Sequence, residues 1–173
     1  EKKYKIIFNV CYNIEDLGKI NLGIKNIRFT QWTPQIHKEL SDQMHIGLCP
    51  NFIPIRARKI ISRISSSKRH LTNNDDYIHR FKVPSNPGRL ITMIMMGLPV
   101  VSDMFPSACQ LITHGEKGNG FLVSSYEGWY NAIETYINNE TLRNEHSSSL
   151  LKIFAERYSL NNQNKLLSEF LNK

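Results

Sequence analysis

Lys82, Ser85, Asn86, Gly88 and Arg89 fall within one short stretch, Phe81-Lys-Val-Pro-Ser-Asn-Pro-Gly-Arg-Leu90, and their types and spacing suit them to hold an anion. Proline is favoured at the first position of a helix, where its missing amide hydrogen has no partner to lose, so Pro87 makes Asn86 the natural N-cap. Gly88 and Arg89 then present backbone amide donors at the positive end of the helix dipole. Lys82 before the cap and Arg89 in the first turn can each add a charge-assisted hydrogen bond to a phosphate oxygen. The same residues have an ordinary structural explanation, since Asn-Pro is a common cap and surface cations are usually solvated. Position along the chain decides between the two.

Downstream, Leu90, Ile91, Ile94, Met95 and Leu98 give the helix an apolar face and Gly97 ends it. Pro99 to Ser102 reads as a short buried strand with Asp103 at its carboxyl end. Ligands of open α/β sheets bind in the crevice at such strand ends. Upstream, Tyr4 to Val10, Asn26 to Thr30 and Met44 to Cys49 read as three strands, and Thr33-Pro34 opens a helix through Ile36 and Leu40. A helix from Pro106 to Thr113, the turn Gly115 to Gly120 and the strand Phe121 to Val123 follow, and the final third is helical. Strands alternating with helices predict an α/β fold, a Rossmann-like parallel sheet with helices on both faces and a helical carboxyl-terminal tail.

The chain has 173 residues and a hydrophobic fraction of 40%, which predicts one domain with a core of its own. No apolar run is long enough to span a bilayer, and the start lacks the apolar segment of a signal peptide. Cys11, Cys49 and Cys109 are widely spaced and odd in number, the pattern of reduced core thiols in a cytoplasmic protein. The net charge of +7 is concentrated: nine cations and two acids lie between Pro54 and Arg89, so this segment carries the whole excess. Such a patch suits a nucleotide diphosphate, an anionic headgroup or RNA. No aromatic residue interleaves the cations from Arg56 to His70, which argues against nucleic acid. Ile55, Ile60, Ile61 and Ile64 alternate with Arg56, Arg58, Lys59 and Arg63, so residues 55–69 fit a helix lying on a membrane surface, or a surface helix that buries its isoleucines in the protein. Met93, Met95 and Met96 read as core. The six histidines show no metal-ligand spacing, and Gly115 to Gly120 precedes a strand where a dinucleotide fingerprint would precede a helix. His114 reads as a turn residue and Trp129 as the anchor of the helix after the last strand.

Taken in order, Lys82-x-x-Ser-Asn-x-x-Arg89, Gly97-x-Pro-Val-Val101, Phe105-Pro-Ser107, Gly118-Asn-Gly120, Trp129 and Phe154-Ala-Glu-Arg-Tyr-Ser159 resemble the carboxyl-terminal donor-binding domain of a retaining GT-B glycosyltransferase, from about Ile27 onward. The resemblance implies one half of a GT-B fold that binds a nucleotide-diphosphate sugar for transfer to a glycan or lipid-linked acceptor. It implies neither cofactor nor metal, because protein groups stabilise charge on the departing diphosphate. It places Lys82, Ser85, Asn86, Gly88 and Arg89 at the diphosphate, Trp32 and Thr33 near the nucleobase, Asn51 at the crevice edge, and the loop from Asp103 to Ser107 near the donor sugar or phosphate. It designates no catalytic residue in this chain.

Two departures from the family pattern matter. Many members carry two glutamates seven residues apart, the second binding the ribose, and Pro84 and Thr92 stand in their places. Tyr4 to Val10 matches the second strand of the donor domain. The first strand and the acceptor domain are thus expected to be missing, and the fragment alone is expected to be inactive. The resemblance also implies a cytoplasmic location, with peripheral contact at the inner membrane face. The competing expectation is a non-catalytic basic module that docks on anionic membrane or RNA.

Overall fold

Successive residues of three short strands pack into opposite cores, and that division organises most of the protein. The computed structural model describes residues 5–18, 23, 25–50 and 87–172. The chain divides into two compact units, Glu1–Asp42 and Gln43–Lys173. In the first, β1 (Phe8–Tyr12) pairs in parallel with β2 (Ile27–Gln31), in register from Phe8 opposite Ile27 to Tyr12 opposite Gln31. The short α1 (Ile14–Leu17) is capped from the end of β2: Gln31 Oε1 accepts the amides of Ile14 at 2.8 Å and Glu15 at 3.2 Å. After β2 comes α2 (Ile36–Leu40), which starts later than the expected Pro34 because Pro34 and Gln35 form a turn closed by the Ile36 amide on the Thr33 carbonyl.

The second unit is built on a parallel sheet in the order β3 (Gly47–Cys49), β4 (Val100–Asp103), β5 (Phe121–Val123). Successive strand residues face opposite sides of a sheet, and two cores follow. Cys49, Val100 and Leu122 pack on one face with Leu90 and Ile94 of α3 (Gly88–Met95) and Ala108 of α4 (Pro106–Cys109). Val101, Phe121 and Val123 pack on the other with Ala132 and Tyr136 of α5 (Tyr126–Asn138). α6 (Glu140–Tyr158) serves both cores, with Leu142 in the second and Leu150 in the first. The parallel α/β architecture expected from the sequence is present, with helices on both faces of this sheet and a helical tail that ends in α7 (Leu160–Leu171). The described strands form two separate parallel sheets, one in each unit.

Several local expectations need correction. α3 begins at Gly88 with Pro87 in the cap position, whose carbonyl accepts the Ile91 amide, one residue later than a cap at Asn86 would give. The helix after Pro106 ends at Cys109, because Asn119 takes over the backbone groups beyond it. Met95 is 53% exposed, while Met93 packs on the core. Cys49 alone is a core thiol; Cys11 and Cys109 are exposed. Gly97 does end α3, at φ +71: its amide bonds to the Ile94 carbonyl and that of Leu98 to Met93, a closure that favours glycine. Among the described residues, no helix is long and apolar enough to cross a membrane.

Candidate functional site

The carboxyl edge of the β3-β4-β5 sheet gathers the chemistry. A helix that joins neighbouring parallel strands runs back along them, so the amino end of α3 lies at the edge where β3 and β4 end. α3 packs on both strands. Its first turn carries Gly88 and Arg89, both exposed, and Leu90, which is buried and seats the helix. Arg89 reaches the end of β3 electrostatically. Burial pushes the Cys49 thiol above its ordinary pKa, Arg89 and a hydrogen bond from Ser102 pull it back, and Asp103 adds to the rise. A cation, a carboxylate and a hydroxyl thus all act on one buried thiol at the end of β3.

Asp103 is 1% exposed, and its Oδ1 accepts the Trp129 indole N–H at 3.1 Å. The pair ties the end of β4 to the first turns of α5. Beside it, the Met104 amide bonds to the Val123 carbonyl at 2.9 Å, so the chain leaving β4 stays joined to β5. Ser102 Oγ lies 3.0 Å from the Asp103 carbonyl and 3.4 Å from that of Cys49. This floor is held by side chains from β3, β4 and α5. Trp129 was expected only as an anchor for its helix. The signal available in the sequence was an indole N–H that needs a partner when partly buried, with a carboxylate closing the preceding strand.

The predicted site residues distribute unevenly. Gly88, Arg89 and Asp103 come together at one sheet edge. Thr92 is exposed one turn along α3, where its Oγ1 donates back to the Gly88 carbonyl at 2.9 Å, so this hydroxyl already serves the helix. Trp32 and Thr33 belong to the first unit. There Trp32 is 53% exposed just beyond the carboxyl end of β2, with its amide on the Tyr12 carbonyl. Lys82, Ser85, Asn86 and Asn51 lie outside the described residues, as does the basic segment 55–69. His114 Nδ1 accepts the Leu122 amide at 3.1 Å, the role of a turn residue at the amino side of β5, the far side of the sheet from this edge. Among the described residues, no three His, Cys, Asp or Glu side chains gather as a metal site would require.

Ligands of open parallel α/β sheets bind in the crevice at this edge. The chain is similar to HepE of Anabaena, whose crystal structure is a complex with UDP: TM-score 0.57, 20% identity, 92% of this chain covered. The chain spans 34% of the length of that structure. The likeness is one of fold, and it fits one α/β half of a GT-B architecture. No protein-family model matches the chain, and no curated protein does.

Proposed function

We propose that this chain is the donor-binding part of a glycosyltransferase, taking a nucleotide-diphosphate sugar for transfer to a glycan or lipid-linked acceptor. The observation that carries the reading is the placement of Gly88 and Arg89 at the amino end of α3, on the carboxyl edge of a parallel sheet. The HepE chain of similar fold was crystallised with UDP, which favours a nucleotide over other anions. On this reading the first-turn amides of α3 and the Arg89 guanidinium face the diphosphate, and Lys82 adds a second cation. As the bond from the sugar to the diphosphate breaks, negative charge grows on the departing phosphate, and fixed donors held in place beforehand stabilise it. Trp129 keeps the Asp103 carboxylate turned to the indole, which limits its repulsion of the phosphates.

Isothermal titration with UDP, GDP and ADP tests the proposal. At least one of the three should bind, and Arg89→Ala and Lys82→Ala should each weaken it by roughly tenfold or more, since a hydrogen bond to a charged group is worth about 1.5–3 kcal/mol. A chain that binds none of the three, or binds equally well without both cations, is not a donor domain of this kind.

A further inference from the structure

The first turns of α5 leave two aromatic rings in solvent. Tyr126 is 68% and Tyr130 58% exposed, and Met104, at the end of β4, is 38% exposed. Isolated exposed apolar residues need no explanation, but these stand together at one place in the fold. Ser125 caps α5 by accepting the Gly128 amide, so Tyr126 begins the helix at the carboxyl end of β5. Trp129 faces Asp103. At about 100° per residue, Tyr126 and Tyr130 are about 40° apart around the helix and both lie within about 100° of Trp129. The two rings therefore form a shelf on the flank of α5, next to the edge that carries Asp103 and Met104.

Its charge is as informative as its aromaticity. No Lys or Arg occurs from Gly118 to Leu142, while Glu127 and Glu134 lie on the same helix and Tyr130 Oη donates to Glu134 Oε1 at 3.4 Å. A phosphate, an RNA or an anionic bilayer would want cations here. A neutral hydroxylated ring wants what the shelf has: flat amphipathic faces to cover its C–H side, and carboxylates to accept its hydroxyls.

We infer that Tyr126 and Tyr130 form a docking shelf for the sugar rings of a neutral glycan, placed beside the proposed donor site so that an acceptor chain is held at the same sheet edge. The role as acceptor shelf rests on the donor-binding reading; binding of the glycan itself does not. Both side chains are largely in solvent, so their removal leaves the two cores intact.

The test titrates the 173-residue chain with neutral hexasaccharides of glucose, galactose, mannose and N-acetylglucosamine, and separately with UDP and with a lysine hexapeptide. The expected result is binding of at least one hexasaccharide, weakened about tenfold in the Tyr126→Ala/Tyr130→Ala variant, with UDP affinity unchanged within twofold. Failure of every hexasaccharide to bind, or equal binding by the variant, overturns the shelf. Binding of the lysine hexapeptide in place of any sugar, lost in the same variant, assigns the rings to a cationic partner and also overturns it. Hexasaccharide binding that depends on the two rings in a chain that binds none of UDP, GDP and ADP upholds the shelf and removes the donor reading alone.

Discussion

Tyr136 and His146 show how a buried polar pair can be read to the level of single protons. His146 Nε2 lies 3.2 Å from the Glu116 carbonyl, which can only accept, so Nε2 carries the hydrogen. In the neutral ring Nδ1 then accepts, and Tyr136 Oη donates to it at 2.8 Å. Both side chains are buried, and Phe121 packs edge-on against Tyr136. Burial raises the Tyr136 pKa well above its ordinary value of 10.0. The sign of the consequence is fixed: the unfolded chain gives up this proton first, so the contribution is complete below pH about 10 and is lost as pH rises toward the folded value. Urea denaturation at rising pH should show stability falling above pH 10, by up to about 1.4 kcal/mol per pH unit from this group. Tyr136→Phe should remove that component and cost about 1–2 kcal/mol at neutral pH, because the His146 acceptor is left buried without its donor. An unchanged alkaline profile in Tyr136→Phe would show that another group dominates.

Among the elements, the connection from α4 to β5 depends on Asn119. Its Oδ1 accepts the Thr113 amide at 2.7 Å, its Nδ2 donates to the Leu111 carbonyl at 3.1 Å, and its own amide bonds to the Thr113 carbonyl at 3.0 Å. Gly118 beside it has no room for a side chain, since a Cβ would come within 2.0 Å of the Thr113 carbonyl oxygen. Asn119→Ala should cost about 2–4 kcal/mol in denaturant unfolding, as the buried Leu111 carbonyl and the partly buried Thr113 amide lose their partners; a loss under half a kcal/mol would mean that the loop finds other partners. The sequence marked Gly118-Asn-Gly120 as a turn without revealing what the asparagine does, because its partners lie up to eight residues back and become neighbours only once β5 docks. The same limit applies elsewhere. Val100 and Val101 announce a buried strand, and Gly97 a helix end, through local pattern alone. The Asp103 to Trp129 bond joins residues 26 apart, and Tyr136 meets His146 only because α6 folds back on α5. Met95 fits the apolar face of α3 by period, yet it is exposed. Arg89 was legible as a cation at a helix start; its electrostatic reach to Cys49 was not.

For the whole molecule, the sheet edge and the charge of the chain point the same way. The segment from Pro54 to Arg89 carries the entire net charge of +7, and on the proposed reading that charge favours an anionic ligand. Such attraction is screened by salt. The first unit adds Trp32 at the end of its own parallel pair, and the tail adds α7, whose Leu166, Leu167, Phe170 and Leu171 are exposed. The central claim, that the amino end of α3 receives a nucleotide diphosphate, is tested most directly by following the backbone amide resonances of the 15N-labelled chain during titration with UDP. The largest shifts are expected at Gly88, Arg89 and Leu90, with smaller ones at Ser102 and Asp103, all weakened in Arg89→Ala. Saturable shifts centred elsewhere, with Gly88 to Leu90 unmoved, would contradict it.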